Sequence, residues 1–288
     1  MAKAKKKKGS AFSSILLAVI LLIGLSLVLY PTFSNWYNQF HQTRAIANYT
    51  EFVDNIAIAE RERMREEAQQ YNEDLWSMAN RYAPSEEEHQ RYLELLDVTG
   101  TGIMGYINIP SINVNIAIYH TATEEVLQTA VGHIEGTSLP VGGDGTHCVL
   151  SGHRGLPSAK LFTDLDQLGE GDVFMLSVLG ETLTYEIDQI RIVLPTEVDN
   201  LTMERGHDYV TLVTCTPYGI NSHRMLVRAH RIENAETEIN VKADAVLFDA
   251  MKVAPFLAAP VLFVLLMGII MKPKRKKVTS EDVRKMSE

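Results

Sequence analysis

The stretch TLVTCTPYGINSHRMLVRAHR, Thr211 to Arg231, holds one of the two cysteines in the chain and an arginine nine residues after it. The apolar run that ends at Cys215 is typical of a β-strand, and the run from His223 is typical of a second strand. Residues 217–221 carry the turn residues Pro, Gly and Asn, so the second strand is predicted to return beside the first and bring Arg224 near Cys215. Cys215 could be a buried hydrophobe, half of a disulfide or a nucleophile.

The region before this hairpin has the same texture of short β-branched and apolar runs broken by Gly, Pro, Asn and Asp. Many short, closely spaced strands predict a mainly β protein, either a barrel or a sandwich. Residues 179–181 are predicted to form a hairpin turn, and residues 158–168 a short helix. The candidate strands are MGYINIP, VNIAIYH, THCVLSG, DVFMLSVLG, ETLTYEIDQIRIVLP, DYVTLVTC and HRMLVRAHRI.

Two uncharged apolar segments, residues 11–30 and residues 253–271, lie near the two ends of the chain. About 20 apolar residues are enough for a helix to cross the ~30 Å hydrocarbon layer of a membrane. Lysine-rich runs lie outside both segments, which predicts cytoplasmic ends and an extracellular middle. The alternatives are a cleaved signal peptide and a buried helix. The long apolar run without an A-x-A site disfavours the first, and the flanking cations disfavour the second.

Between the first apolar segment and the strands, residues 44–82 are rich in Glu, Ala, Arg and Gln and contain no glycine. Apolar residues at three- and four-residue spacing predict one or two amphipathic helices there. Pro84 marks a helix end, and Ser85 followed by three glutamates predicts a further helix to about Leu96. The predicted organisation is a basic tail (1–10), a membrane helix (11–30), an extracellular helical segment (31–102), a catalytic β-barrel (103–234), a linker (235–252), a membrane helix (253–271) and a basic tail (272–288).

The distribution of charge along the chain limits the kinds of molecule that the protein is expected to bind. The net charge is −9, but five basic residues precede Ser10 and seven follow Met271, which leaves 15 basic against 33 acidic residues between them, near −18. Nucleic-acid binding depends on Lys and Arg that neutralise phosphates, so this balance argues against it. No His or Cys pair has the spacing of a zinc site, and no cofactor or metal is expected.

A nucleophilic cysteine needs a neighbouring cation or base that raises the fraction of thiolate. His153 follows an apolar strand in CVLSGHRGLP, where Gly152 and Gly155 can shape a loop at a barrel rim. Cys148 could pair with Cys215 in a disulfide, since an extracellular compartment permits one. Its place within a strand favours a free, buried thiol.

Other histidines and arginines compete for roles at the same site. Alternation along the strand places Arg228 and His230 on the face of Arg224, as pocket or wall residues, and His223 on the opposite face. Arg154 is a possible rim residue. His133, in VGHIEG, is expected to be structural or solvent-exposed.

The combined motifs resemble those of a known family. TLVTC with an arginine nine residues on resembles the TLxTC signature of sortases, and LSGHRG, 62 residues before the cysteine, resembles their histidine segment. The similarity continues through GYINIPSINVNIAIYH, VGHIEGTSLPVGG, LPSAKLFTDL and TPYGINSHRMLVR, over about residues 105–232. With two predicted membrane segments, the chain resembles a class C, pilus-type sortase of a Gram-positive cell surface.

The resemblance implies a closed sortase-type β-barrel and cysteine transpeptidase chemistry. Cys215 would attack the Thr–Gly bond of an LPxTG-like sorting signal and form a thioester, with His153 as general acid and then base. Arg224 would stabilise the oxyanion or orient the substrate backbone. The implied partners are pilin or surface proteins with such signals, and the acceptor is a lysine amine of a pilin.

One motif departs from the class C pattern. Where these enzymes often carry an Asp-Pro-aromatic lid, this chain has Ala83, Pro84 and Ser85, which puts autoinhibition by a lid in doubt. Two other functions stay open. One is a sortase that anchors surface proteins to a cell-wall precursor, and the other is a non-catalytic, membrane-tethered surface scaffold that needs no reactive thiol.

Overall fold

The computed structural model describes the backbone of residues 9–234 and the side chains of residues 16–234. Eight strands form a closed barrel, so the barrel alternative of the mainly β prediction is confirmed. The strands are β1 (Ile103–Ile109), β2 (Val114–Tyr119), β3 (Val131–His133), β4 (Thr146–Ser151), β5 (Val173–Val178), β6 (Glu181–Val193), β7 (Asp208–Thr216) and β8 (His223–Ile232).

The strand order around the barrel is β1-β2-β3-β4-β7-β8-β6-β5. Two neighbouring pairs, β2 with β3 and β4 with β7, run parallel, and the other pairs are antiparallel. The parallel pairing of β4 with β7 matters most for function. It places the end of β4, which precedes His153, beside the end of β7, which carries Cys215.

Alternation along the central strands divides their side chains between two apolar layers. Val210 and Leu212 of β7 belong to the main core, together with Cys148 and Leu150 of β4. Val213, the residue after Leu212, faces the other side, where it joins a second, smaller cluster. That second layer, called the outer layer below, consists of Val149, Val193, Leu201, Val213 and Leu226, with Ile134 packed against it.

Within residues 9–234, four helices accompany the barrel. They are α1 (Gly9–Asn55), α2 (Ile58–Asp74), α3 (Glu86–Glu94) and the single turn α4 (Glu124–Leu127). The prediction of a helix from Ser85 is confirmed, because the Ser85 hydroxyl accepts from the Glu88 N–H and the Glu88 carboxylate accepts from the Ser85 N–H. The predicted one or two amphipathic helices between residues 44 and 82 are the end of α1 and the whole of α2.

Helix α1 continues through Pro31 instead of ending before it. A proline inside a helix removes one backbone hydrogen bond, and the long glycine-free sequence on its C-terminal side tolerates that loss. Leu16–Asn55 is the one stretch of the described residues that is long and apolar enough to cross a membrane, with a mean hydropathy of 2.4 in its most apolar part. The second predicted membrane segment, residues 253–271, lies outside the described residues. From Tyr30 onward the described residues belong to one compact unit.

Two local predictions had different outcomes, and two elements lacked a prediction. The hairpin turn at residues 179–181 is confirmed, with Leu179 and Gly180 both at positive φ, 50° and 83°. The helix predicted for residues 158–168 is wrong, because that segment forms turns and one 3-10 turn, Leu165–Gln167. Its Phe162 N–H donates to the carbonyl oxygen of His153, a contact with the barrel loop that replaces helical pairing. Strand β3 and helix α4 were not predicted.

Candidate active site

Cys215 lies near the end of β7, between two elements that carry the other predicted site residues. On one side it pairs in register with Arg224 of the antiparallel strand β8. On the other side, Ser151 of β4 pairs with Val213, and the Gly152 N–H donates to the Val213 carbonyl oxygen at 3.0 Å. The next residue after that hydrogen bond is His153. The barrel therefore brings His153, Cys215 and Arg224 to one rim, as the sequence predicts.

The loop that carries His153 depends on glycine at Gly152. A Cβ at this position would lie 2.6 Å from the ring of Phe162, closer than van der Waals contact allows. The backbone of Phe162 is held close to this loop, because its N–H donates to the His153 carbonyl oxygen at 3.1 Å. The Thr214 hydroxyl donates to the Gly152 carbonyl oxygen at 2.8 Å. These contacts fix the backbone that presents the imidazole.

The thiol of Cys215 is free and partly exposed, as a nucleophile requires. The Arg224 guanidinium donates from Nη1 to the carbonyl oxygens of Asn221, at 3.3 Å, and His223, at 3.2 Å. These bonds hold the long side chain against the turn that follows β7. The remaining guanidinium N–H groups can bind a carbonyl or oxyanion at the thiol, because Arg has five donors in a planar fork.

The outer layer reaches the end of β7 through Val213, close to Cys215. Val213 has the same orientation as Cys215 because it is two residues away on β7. Leu201 comes from the 3-10 turn Asp199–Leu201 in the β6–β7 connection, and all members of the outer layer are buried.

Arg228 and His230 lie on the strand face of Arg224, as predicted, and they interact with Asp188. The Arg228 guanidinium forms two hydrogen bonds of 3.0 Å to the Asp188 carboxylate, and it lies 4.3 Å from the centre of the Tyr209 ring. His230 Nδ1 is 3.9 Å from the same carboxylate. These residues form one wall of the strand surface at a distance from the thiol along the strand.

The histidine at position 133 is structural, so the solvent-exposed alternative is wrong. It is fully buried; its Nε2 donates to the Ser138 carbonyl oxygen at 2.9 Å, and the Tyr92 hydroxyl lies 3.0 Å from Nδ1. Burial lowers the pKa of His133 to about 4, so the ring is neutral at physiological pH. The sequence offered no signal for the tyrosine partner, which lies 41 residues away.

Cys148 is free and buried in the main core, which confirms the prediction and excludes a disulfide to Cys215. Burial raises the pKa of the Cys148 thiol well above its usual value, so it is a poor nucleophile. No group of three or more His, Cys, Asp or Glu residues with metal-binding geometry occurs within the part of the chain that the structure describes.

Arg154, next to His153, lies at the rim of the barrel, and its guanidinium has three neighbours. Its guanidinium pairs with the Asp166 carboxylate and donates to the Thr216 hydroxyl at 3.4 Å. It also lies 6.0 Å from the centre of the Tyr218 ring. Arg154 thereby ties the His153 loop to the segment that follows Cys215.

The segment that replaces the lid motif lies against the far part of the outer layer. The Arg81 guanidinium donates to the Leu201 carbonyl oxygen at 3.4 Å. A Cβ at Gly136 would lie 2.2 Å from the Arg81 carbonyl oxygen, so this backbone packs directly on the β3–β4 connection. Ser85 is occupied by its capping interaction with Glu88. Within residues 16–234, no hydrogen bond or ion pair joins Ala83 or Ser85 to Arg224.

Sequence reasoning missed one carboxylate at this site. Glu124, on the unpredicted turn α4, has Oε2 at 3.5 Å from His153 Nε2. The two residues are 29 positions apart, and only the barrel topology brings them together.

The comparison with family models agrees with this geometry. The model described as Sortase domain matches residues 107–232. A crystal structure of sortase C1 from Streptococcus agalactiae is 47% identical, with a TM-score of 0.64, and the alignment covers 67% of this chain and 100% of that one. The chain belongs to the sortase family.

Class C is the part of the family to which this sortase belongs. An X-ray structure of Clostridium perfringens sortase C with the C-terminal cell wall sorting motif is 42% identical, with a TM-score of 0.58, and covers 67% of this chain and 100% of that one. Curated relatives are matched over less of their length. Sortase D of Bacillus subtilis is 29% identical over 114 residues, 40% of this chain and 54% of that protein.

Proposed function

We propose that this sortase is a membrane-anchored cysteine transpeptidase that cleaves an LPxTG-like sorting signal between Thr and Gly and joins it to a lysine amine of a pilin subunit. The observation that carries the proposal is the convergence of three strand ends. Cys215 lies in register with Arg224, and the backbone pairing of Gly152 with Val213 places His153 on its other side.

The first half-reaction forms a thioester. The Cys215 sulfur adds to the threonine carbonyl carbon, and the negative charge that develops on the carbonyl oxygen is stabilised by the Arg224 guanidinium. His153 donates a proton to the glycine nitrogen as the C–N bond breaks. The products are the acyl-enzyme and a free amine on the released fragment.

The second half-reaction transfers the acyl group. The incoming lysine amine attacks the thioester carbonyl and loses a proton to His153, and the C–S bond breaks to regenerate Cys215. A new isopeptide bond between the threonine carbonyl carbon and the lysine Nζ replaces the peptide bond that was cleaved. The same imidazole therefore acts first as an acid and then as a base.

The apolar outer layer supports the strand end that presents Cys215 to the sorting signal. Val149, Leu201 and Val213 are buried against one another, so they hold the end of β7 in place beneath the proposed binding position. The Clostridium perfringens sortase C structure with its sorting motif is a relative of this chain at 42% identity.

The choice of acceptor distinguishes pilus polymerisation from anchoring. A cell-wall-anchoring sortase would use the same three residues and differ only in the amine that it accepts. Class C membership favours the pilin lysine. The test supplies the purified acyl-enzyme with either a lysine-containing pilin peptide or a short cell-wall stem peptide with a free amine, and follows product mass. Preference for the stem peptide would support anchoring.

The decisive test of catalysis uses the full-length chain in detergent micelles. A library of LPxTG-like peptides is added, and acyl-enzyme masses are read directly. We expect an adduct on the wild-type chain and none on Cys215→Ala, with Cys148→Ala as the matched control that retains it. A thiol that forms no adduct with any peptide would support the non-catalytic scaffold.

The proposed location is the outer side of a Gram-positive cell membrane, with both basic ends in the cytoplasm. Helix α1 supplies one candidate anchor, and residues 253–271 supply the second. Protease added to intact cells should digest only the region between residues 31 and 252 and leave tags fused at both termini protected. Digestion of the C-terminal tag would contradict the two-anchor topology.

A further inference from the structure

The imidazole of His153 has one ring nitrogen that is removed from solvent. The side chain is 25% exposed as a whole, but Nε2 is buried and forms no hydrogen bond within the described residues. A buried polar atom without a partner costs free energy, so a neighbour that can serve it is significant. The Glu124 carboxylate is that neighbour, with Oε2 at 3.5 Å from Nε2.

Glu124 is held in place although its side chain is 69% exposed. At the C-terminal cap of α4, the Gln128 side-chain amide donates to Glu124 Oε1. The backbone just after α4 is fixed by α1, because the Thr129 carbonyl oxygen accepts from Gln42 Nε2 at 2.7 Å and from Asn38 Nδ2 at 3.2 Å. The carboxylate therefore faces the imidazole from a supported position.

Helix α1 also contacts the segment on the other side of the histidine. The Ser34 hydroxyl donates to the Ser158 carbonyl oxygen at 3.1 Å, and the Lys160 N–H donates to Asn35 Oδ1 at 2.8 Å. The same helix thus braces both chain segments, α4 and the His153 loop, that bring Glu124 to Nε2. A chance approach of two mobile surface groups would have no such support.

We propose that Glu124 is a positioning residue for His153, which accepts a hydrogen bond from Nε2–H and leaves Nδ1 to exchange protons with Cys215 and the reacting amines. This inference rests on the proposed transpeptidase function. The distance of 3.5 Å is long for a formed hydrogen bond, but such bonds are often long in enzymes without substrate and shorten when it binds. A hydrogen bond at one ring nitrogen determines which nitrogen is available for catalysis.

The expected effect is modest because the carboxylate is largely exposed. Exposed ion pairs contribute about 0.2–1 kcal/mol, which corresponds to a change in rate of roughly 1.4- to 5-fold. Loss of the carboxylate should lower the rate of the chemical step and leave the affinity for the peptide unchanged, since Glu124 acts through His153. It should also appear in both half-reactions, because His153 transfers a proton in each.

The kinetic test measures single-turnover acyl-enzyme formation by the full-length chain in detergent micelles, with no acceptor amine present. Glu124→Gln, which keeps the shape and removes the charge, and Glu124→Ala should lower the limiting rate about 1.4- to 5-fold and leave the half-saturating peptide concentration unchanged. Glu124→Asp should restore part of the rate. Glu125→Gln is the matched control on the same turn and should behave as wild type.

A second measurement needs no substrate. Isotope-labelled histidine reports by NMR which ring nitrogen of His153 carries the proton, with His153→Gln used to assign the signal. We expect the proton on Nε2 in the wild-type chain and a weaker preference in Glu124→Ala. An unchanged tautomer in that variant would overturn the inference, even if no tested peptide acylates Cys215. Normal acylation combined with a defect only in amine transfer would also overturn it and assign Glu124 to acceptor binding.

Discussion

Cys215 and Arg224 are direct partners in the β7–β8 ladder, although nine residues separate them in the chain. Opposite residues of an antiparallel pair have Cβ atoms about 4.5–5.5 Å apart, so the arginine side chain starts beside the sulfur and reaches past it. The pairing fixes this relationship by backbone hydrogen bonds, and it does not depend on a flexible loop. A guanidinium in this position can bind the oxygen of a carbonyl that the sulfur attacks.

This pairing predicts a strict requirement for the planar guanidinium. Arg224→Lys keeps the positive charge but loses the fork, so we expect acyl-enzyme formation to slow by about 100-fold or more, as for removal of an oxyanion donor. Rapid-quench mass spectrometry of the full-length chain measures the rate. Arg191→Lys, on the exposed end of β6, is the matched control and should retain full activity. Near-normal acylation by Arg224→Lys would show that the Arg224 guanidinium does not stabilise the oxyanion.

The buried histidines predict a loss of stability in acid. Burial lowers the pKa values of His133 and His147 to about 4, below the ordinary value of about 6.5 for an unfolded chain. Between these values the unfolded state binds more protons than the folded state. The contribution of each histidine to the free energy of unfolding is therefore complete above about pH 6.5 and is lost as the pH falls toward 4. Each histidine accounts for at most about 3 kcal/mol of this loss.

The pH dependence can be measured by thermal unfolding between pH 7 and pH 4. His133→Asn keeps one donor and one acceptor but does not titrate, so its unfolding temperature should fall less steeply with decreasing pH than that of wild type. His207→Asn, at an exposed position, should preserve the wild-type slope. Equal slopes for His133→Asn and wild type would contradict the burial argument.

Gln42 of α1 should contribute strongly to stability. Its Oε1 accepts from the Ala117 N–H of β2 at 2.9 Å, its Nε2 donates to the Thr129 carbonyl oxygen, and the side chain is buried. Gln42→Leu leaves the buried Ala117 N–H without a partner, at about 1–3 kcal/mol, whereas the Thr129 carbonyl oxygen keeps its bond from Asn38 Nδ2. Chemical denaturation should show this loss, whereas Thr43→Ala, on the exposed side of α1, should change stability by less than about 0.5 kcal/mol.

The segment at the lid position should not control access to the thiol. Arg81 contacts Leu201 and the β3–β4 connection, and the side chains of Ala83 and Ser85 provide neither an acid for Arg224 nor a ring for Cys215. In a Cys148→Ala background, Arg81→Ala should therefore change the rate of thiosulfonate modification of Cys215 by less than about threefold, or ~0.7 kcal/mol. A tenfold acceleration would show that this segment shields the site from a distance.

The sequence predicted most of the barrel because its strands alternate clearly and end at Gly, Pro or Asn. The three proposed catalytic residues also followed from motifs, since Cys215 and Arg224 are local to one hairpin and His153 lies in a recognisable loop. The predicted helix at residues 158–168 failed for the opposite reason. Its apolar residues Phe162 and Leu165 are buried in the core although they lie in turns, and the Phe162 N–H pairs with the His153 loop, so burial does not require a helix here.

Other features could not be predicted from the sequence because they depend on contacts between residues that are far apart in the chain. Strand β3 has only three residues, too few for a periodic pattern, and it is stabilised by neighbours on both sides. The contact of Glu124 with His153 requires β3 and β4 to be in place first. Burial of His133 depends on Tyr92 of α3, which a pattern in one segment does not reveal.

The parallel pairing of β4 with β7 has a consequence for the newly made chain. A parallel ladder between segments about 62 residues apart forms only after a large loop has closed, and such long-range contacts form slowly during folding. Until then His153 and Cys215 are held only by the flexible chain between them. The proposed site is therefore assembled late in folding, and we expect no acyl transfer before β4 and β7 have paired.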